Sequence, residues 1–333
     1  MFEFMKQRID WLDASRGMAF MMVIYSHLPM ARDGVMVFFA PVFLTTFFFV
    51  SGYLFKSGQP FSVVLEQRTR TLLIPFVILG IIMILMGQVL SFNEHVDFWD
   101  AVKGLLTQNG ENQILWFIAA LYVYSLVFYW VDRWSGTVKK LLWLSVTLFV
   151  ADCIVTRWLN VGPLPWHIVD MGYACFYMAL GKCYRNYESQ VDRFMNGWKI
   201  AVGVVVYFAY IYFTGMYIGH QGSVMVIDAM AITVIGLALV ILVSKKYLQG
   251  SRFLLFVGAN TLFYFAFHGK AYSIILTLGH KAVPGYIAGQ DFWMDVCVAV
   301  LVVFLDALIL IVPANAVNKY APQILGKNFR LWK

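Results

Sequence analysis

Charge is scarce in this sequence: Asp, Glu, Lys and Arg together make up 13% of its 333 residues, about half the share of a soluble domain. An ordinary water-soluble globule is thereby excluded. No run of Pro, Gly or Ser, no block of like charge and no low-complexity stretch is long enough to separate two folded units. The chain therefore reads as a single membrane-embedded domain over residues 1–333. No repeat of fixed period appears, which sets solenoid arrays aside. The cysteines (Cys153, Cys175, Cys183 and Cys297) form no C-x-x-C pair and stand beside no metal-ligand spacing. They read as small apolar residues in helix packing, and no metal is expected. A signal-peptide cleavage site is also missing. Lys6 and Arg8 do precede an apolar run, but that run holds Arg16 and His27 and continues for a full span, so it reads as a retained first helix.

What is present is apolar. Hydrophobic residues reach 61% and aromatics 17%, with a mean hydropathy of +0.73. Runs of bilayer-spanning length recur from end to end. The expectation is an all-α integral membrane bundle of about ten transmembrane helices. The spans fall near Leu12–Met30, Val35–Phe55, Thr71–Ser91, Ile114–Asp132, Val138–Thr156, His167–Tyr184, Trp198–Thr214, Ser223–Ser244, Leu254–Leu278 and Phe292–Ala314. Under this arrangement one set of loops and termini carries 19 of the 25 Lys and Arg, while the other holds only Arg32, Lys103, Arg157 and Lys281. The imbalance places both termini in the cytoplasm. It also explains the net charge of +7 without a nucleic-acid partner. The connection Ser91–Gln113, with Glu94, Asp97, Asp100 and Glu111, is the largest outer loop.

Some ionisable residues lie inside the apolar runs, where each costs about 2.5–3.5 kcal/mol by insertion scales. Arg16 and His27 are eleven positions apart on the first helix, close to three turns, so they share a face at a separation of roughly 16 Å. Asp13 precedes Arg16 by three and is placed to pair with it. On the ninth helix, of like direction, His268 lies about as deep as His27, with Thr261 and Tyr264 on nearly its face. The two histidines can therefore meet in one cavity. At the outer side, His167 and Asp170 open the sixth helix beside Trp166, with Asp152 nearby. The bland alternatives are a helix–helix hydrogen bond for a lone His, an interfacial ion pair for Asp13 and Arg16, and an ordinary helix start for His167.

These residues carry a resemblance. Trp11-Leu12-Asp13-Ala14-Ser15-Arg16-Gly17, running to Ser26-His27, is similar to the opening pattern of the acyltransferase 3 family, multi-helix bacterial enzymes that acylate cell-surface glycans. Phe47-Phe48-Phe49-Val50-Ser51-Gly52-Tyr53, Arg68-Thr69-Arg70 before Leu73-Ile74-Pro75, Leu115-Trp116-Phe117, Pro165-Trp166 through Gly181, and Asn260-Thr261-Leu262 before His268 follow in the family's order. Ala14-Ser15 departs from the Gly-Leu or Asn-Leu often seen before the basic residue. The chain ends soon after the tenth helix and so resembles a stand-alone form without an appended esterase-like domain.

The resemblance implies acyl transfer, usually of acetyl from acetyl-CoA, to a sugar hydroxyl of a surface glycan or lipid-linked saccharide. It also implies a multi-pass protein of the bacterial inner membrane, in contact with lipid. The chemistry needs a base for the hydroxyl proton and donors for the developing oxyanion. Histidine suits the first role because its ordinary pKa lies near neutrality, so His27 is the expected base, with His268 and Asp13 completing the catalytic set. A covalent acyl-histidine is an open alternative. Arg16, Arg68 and Arg70 are the expected CoA phosphate ligands, since guanidinium forks match phosphate. Trp116, His167, Asp170, Asn260 and Tyr264 are expected on the acceptor. The competing class is a transporter or flippase using the same intramembrane His, Asp and Arg residues. The sequence leaves open the acceptor, the acyl group and the oligomeric state.

Overall fold

The computed structural model describes residues 8–90, 97–107, 115–159, 164–214, 223–282, 288–289, 291–327, 329 and 331. Among the described residues every regular element is helical. The principal helices are α1 (Asp10–Ser26), α2 (Ala40–Tyr53), α3 (Phe61–Val89), α4 (Phe98–Thr107), α5 (Trp116–Ser135), α6 (Val138–Cys153), α7 (Met171–Phe194), α8 (Gly197–Thr214), α9 (Ser223–Val243), α10 (Arg252–Ala259), α11 (Thr261–Ala282) and α12 (Phe292–Tyr320). Glu94 and Glu111 of the expected outer loop, and the terminal Lys6, Arg330 and Lys333, lie outside the described residues.

Among the described residues, three helices are long and apolar enough to cross a membrane: Phe61–Val89 (mean hydropathy 2.6), Met230–Leu248 (1.9) and Phe292–Tyr320 (3.0). The broken pair Pro165–Phe194 and Gly197–Phe213 adds a fourth if it counts as one span. Large apolar side chains stand on the exterior, among them Val89 at 77%, Phe213 at 82% and Val312 at 74% exposure. An exterior this apolar fits lipid contact rather than water. Cys175 is buried in helix packing, and Cys297 is exposed on the apolar helix α12.

Several expected boundaries move, each for a local reason. The first helix stops at Ser26 rather than Met30, because Pro29 has no N–H and disfavours helical backbone at Leu28. The second starts at Ala40 rather than Val35, with Pro41 in its first turn, where proline is tolerated. The ninth span is broken at Asn260, whose backbone leaves the helical region (φ −118°) while its side-chain amide donates to the Phe256 carbonyl at 2.8 Å. His167 does not open the sixth span. It lies in a 3-10 turn, Pro165–Asp170, ahead of α7. The long connection between α3 and α5, where the sequence predicts a loop, contains the amphipathic helix α4.

The chain divides into two compact units. One comprises Met1–Phe47, Tyr187–Thr261 and His268–Ile311; the other comprises Phe48–Asn186, Leu262–Phe267 and Val312–Lys333. In the first unit, α1 packs most closely on α10 and also touches α9 and α12. The α1–α10 crossing depends on two glycines. A Cβ on Gly17 would overlap the Leu254 carbonyl, and one on Gly258 would overlap the Asp13 carbonyl. Small residues let backbones approach in this way where no hydrophobic force drives helices together. In the second unit, α5 packs on α6, on the N-terminal half of α3 and on the Pro165–Asp170 turn. There α2 meets α7 in the same manner, through Gly52 against Met178 and Gly181 against Phe49.

Candidate active site

The first unit brings the two predicted histidines together. His27 is the C-terminal cap of α1 and is exposed. Its ring meets that of His268 edge-on, with centroids 5.2 Å apart. His268 is fully buried, with Phe20 edge-on to it at 5.5 Å. The His27 Nδ1 lies 2.8 Å from the Val23 carbonyl. A carbonyl only accepts, so Nδ1 carries the hydrogen, and in the neutral ring Nε2 holds the lone pair. The helix end thus fixes the tautomer and leaves one basic nitrogen. Ser26 Oγ donates to the same carbonyl at 2.8 Å and lies 3.3 Å from Nδ1.

At the other end of α1, Asp13 is buried, 3% exposed, and both of its oxygens are engaged. Oδ1 pairs with Arg16, and Oδ2 lies 2.9 Å from Arg8 Nε. Asp13 therefore orders two guanidinium groups and offers no free oxygen for proton transfer. The continuous helix preserves the roughly 16 Å rise between Arg16 and His27. Asn260, in the same unit, spends one side-chain N–H on its own helix end.

The second unit holds the remaining candidates. Arg68 and Arg70 flank the start of a π-helical turn, Thr69–Leu73, inside α3. The extra residue of such a turn re-aims side chains on either side. Arg70 is tied to the C-terminal segment: Nη1 donates to the Gly326 carbonyl at 2.8 Å, and Nε lies 3.7 Å from Glu66. Gly326 has φ +69°, and a Cβ there would overlap the Arg70 carbonyl, so only glycine suits this contact. Arg68 forms no ion pair among the described residues.

Trp116, His167 and Asp170 also come together. The Trp116 and His167 rings lie 4.2 Å apart, and His167 Nδ1 is 3.4 Å from the Asp170 carboxylate. Trp166 and His167 both adopt left-handed backbone, φ 59° and 50°, a conformation costly for bulky residues. The surroundings hold it in place. Tyr124 donates to the His167 carbonyl at 2.6 Å, and Trp166 Nε1 donates to the Leu106 carbonyl at 2.6 Å. Tyr264 is fully buried in this unit. Asp152 accepts from the Tyr173 backbone N–H at 2.6 Å.

Sequence reasoning missed several ionic groups. Asp295 and Asp306 on α12 are both fully buried. Asp295 pairs with Arg32 and accepts from the Gly289 N–H at 3.0 Å. Asp132 on α5 pairs with Lys182 on α7. The signal for the first two was available, since they are eleven residues apart on one apolar helix, the same spacing as Arg16 and His27.

The family model for an acyltransferase domain, acyltransferase 3, matches residues 9–312, and the chain belongs to that family. The comparison with curated proteins and that with solved structures each gave no match.

Proposed function

We propose that this acyltransferase moves an acetyl or other short acyl group from cytoplasmic acyl-CoA to a sugar hydroxyl of a cell-surface or lipid-linked glycan, with His27 as general base. The reading is carried by one observation: His27 is exposed, its Nδ1–H is held by the Val23 carbonyl, and its Nε2 keeps the lone pair. As the acceptor oxygen attacks the thioester carbonyl, Nε2 takes the hydroxyl proton. When the C–S bond breaks, the imidazolium returns that proton to the departing thiolate. His268, buried behind His27, is a positioning residue that holds the ring from one side.

Arg16, oriented by Asp13, and Arg68 are the proposed phosphate ligands of the donor, while Arg70 chiefly ties α3 to the C-terminal segment. The Trp116–His167–Asp170 cluster is the proposed acceptor platform, an aromatic face with an adjacent carboxylate. A ten-span arrangement in the bacterial inner membrane, with both termini cytoplasmic, is part of the proposal and rests on the lysine and arginine distribution. A flippase would draw on the same buried ionisable groups; membership of an acyltransferase family favours transfer. Membranes containing the protein, supplied with labelled acetyl-CoA and surface glycan, should yield label on the glycan as an alkali-labile ester. Label that stays on CoA while the glycan crosses the bilayer would support the flippase instead.

A further inference from the structure

The two buried carboxyls of α12 have opposite fates. Asp295 and Asp306 lie on one stripe of the helix, with Ala299, Val302 and Val303 between them, and neither is exposed. Asp295 is neutralised by Arg32 and accepts a backbone N–H. Neither oxygen of Asp306 has a hydrogen-bond partner, and no cation pairs with it among the described residues. The polar group that faces it is the backbone amide of Tyr272 on α11, and an amide in mid-helix is already committed to the carbonyl four residues back. That carbonyl belongs to His268, whose ring also packs near the Tyr272 ring, with centroids 6.4 Å apart.

An ionised carboxylate enclosed without a cation or donors is strongly disfavoured, and the usual resolution is that it keeps its proton. The elements packed against α12 carry the groups that would otherwise compensate it: Asp13, Arg16 and His27 on or at the end of α1, Arg252 on α10, and His268, Lys270 and Tyr272 on α11. Asp13 and Arg16 serve each other, and none of these cations forms an ion pair with Asp306. We propose that Asp306 is a proton-binding site one helical turn behind the His27–His268 pair, and that loss of its proton disturbs the packing of that pair and stops transfer. The second half of this proposal rests on the acyl-transfer reading; the first does not.

If the folded protein binds one proton more at Asp306 than the unfolded chain does, stability falls as pH rises. The isosteric variant Asp306→Asn lacks the ionisation, so its melting temperature should gain on that of the wild type progressively as pH rises. Infrared spectra of the purified wild type at neutral pH should show the C=O stretch of a protonated carboxyl, absent from Asp306→Asn. A difference in melting temperature between Asp306→Asn and wild type that stays constant as pH rises, or identical infrared spectra, would overturn the proton site. In the transfer assay the alkaline limb of the wild-type pH profile should fall about tenfold per pH unit, and Asp306→Asn should lack that limb. An unchanged limb would overturn the link to the histidines. Absence of any transfer by the wild type would remove the acyl-transfer reading and leave the melting and infrared results standing.

Discussion

Replacing Asp13 by asparagine keeps the shape of the side chain but removes the one charge that holds Arg8 and Arg16. The three groups differ in exposure: the Arg8 side chain is 62% exposed and Arg16 28%, whereas Asp13 is buried. Exposed pairs contribute about 0–1 kcal/mol, so Arg8→Met should cost no more than that. Arg16→Met removes one charge-assisted hydrogen bond while Arg8 still serves the carboxylate, a loss of about 1.5–3 kcal/mol. Removing one partner of a buried pair costs about 3–5 kcal/mol; the partial exposure of Arg16 puts Asp13→Asn at the lower end, about 3 kcal/mol. Denaturation of the purified protein in mild detergent should therefore rank the variants Asp13→Asn, Arg16→Met, Arg8→Met, from most to least damaging. Acyl-CoA affinity should fall for the first two only. If Asp13→Asn is as mild as Arg8→Met, the carboxylate is not what orders Arg16, and the donor-end assignment fails with it.

Gly258→Ala should cost at least about 1–3 kcal/mol, because the added carbon meets the Asp13 backbone rather than a flexible side chain. Gly279→Ala, with nothing near its would-be Cβ, should be neutral or gain up to about 1 kcal/mol of helix propensity; equal melting shifts for the two would contradict the close α1–α10 crossing. Tyr124→Phe strands the His167 carbonyl and should cost about 1–3 kcal/mol. It should also raise KM for the glycan while leaving acyl-CoA binding intact, and steady-state kinetics with both substrates varied would expose the opposite pattern.

Much of the first unit's site was legible in sequence. The i,i+3 spacing of Asp13 and Arg16 anticipated their ion pair, and equal depth on two helices anticipated the meeting of His27 and His268. The eleven-residue rule that linked Arg16 to His27 applies equally to Asp295 and Asp306, but the groups that face them, Arg32 and the Tyr272 amide, come from distant elements and leave no local trace. The left-handed turn at Trp166 and His167 was illegible because neither residue is Gly or Asn; tertiary hydrogen bonds from Tyr124 and Trp166 impose it. The break at Asn260 had a signal in Gly258 and Asn260, outweighed by the apolar residues on either side. The helix Phe98–Thr107 was hidden by the acidic character of its loop, although its Asp100 sits in the first turn, where a negative charge favours a helix.

In the proposed reaction His27 Nε2 takes the acceptor's proton. His27→Asn separates that role from structure, since the asparagine amide can still donate to the Val23 carbonyl but offers no basic nitrogen. Single-turnover transfer of labelled acetyl from acetyl-CoA to glycan, in membranes matched for protein content, should slow by about 10²–10⁴-fold with donor affinity unchanged. Transfer within about threefold of wild type, small beside that expected loss, would contradict the assignment of His27 as the base.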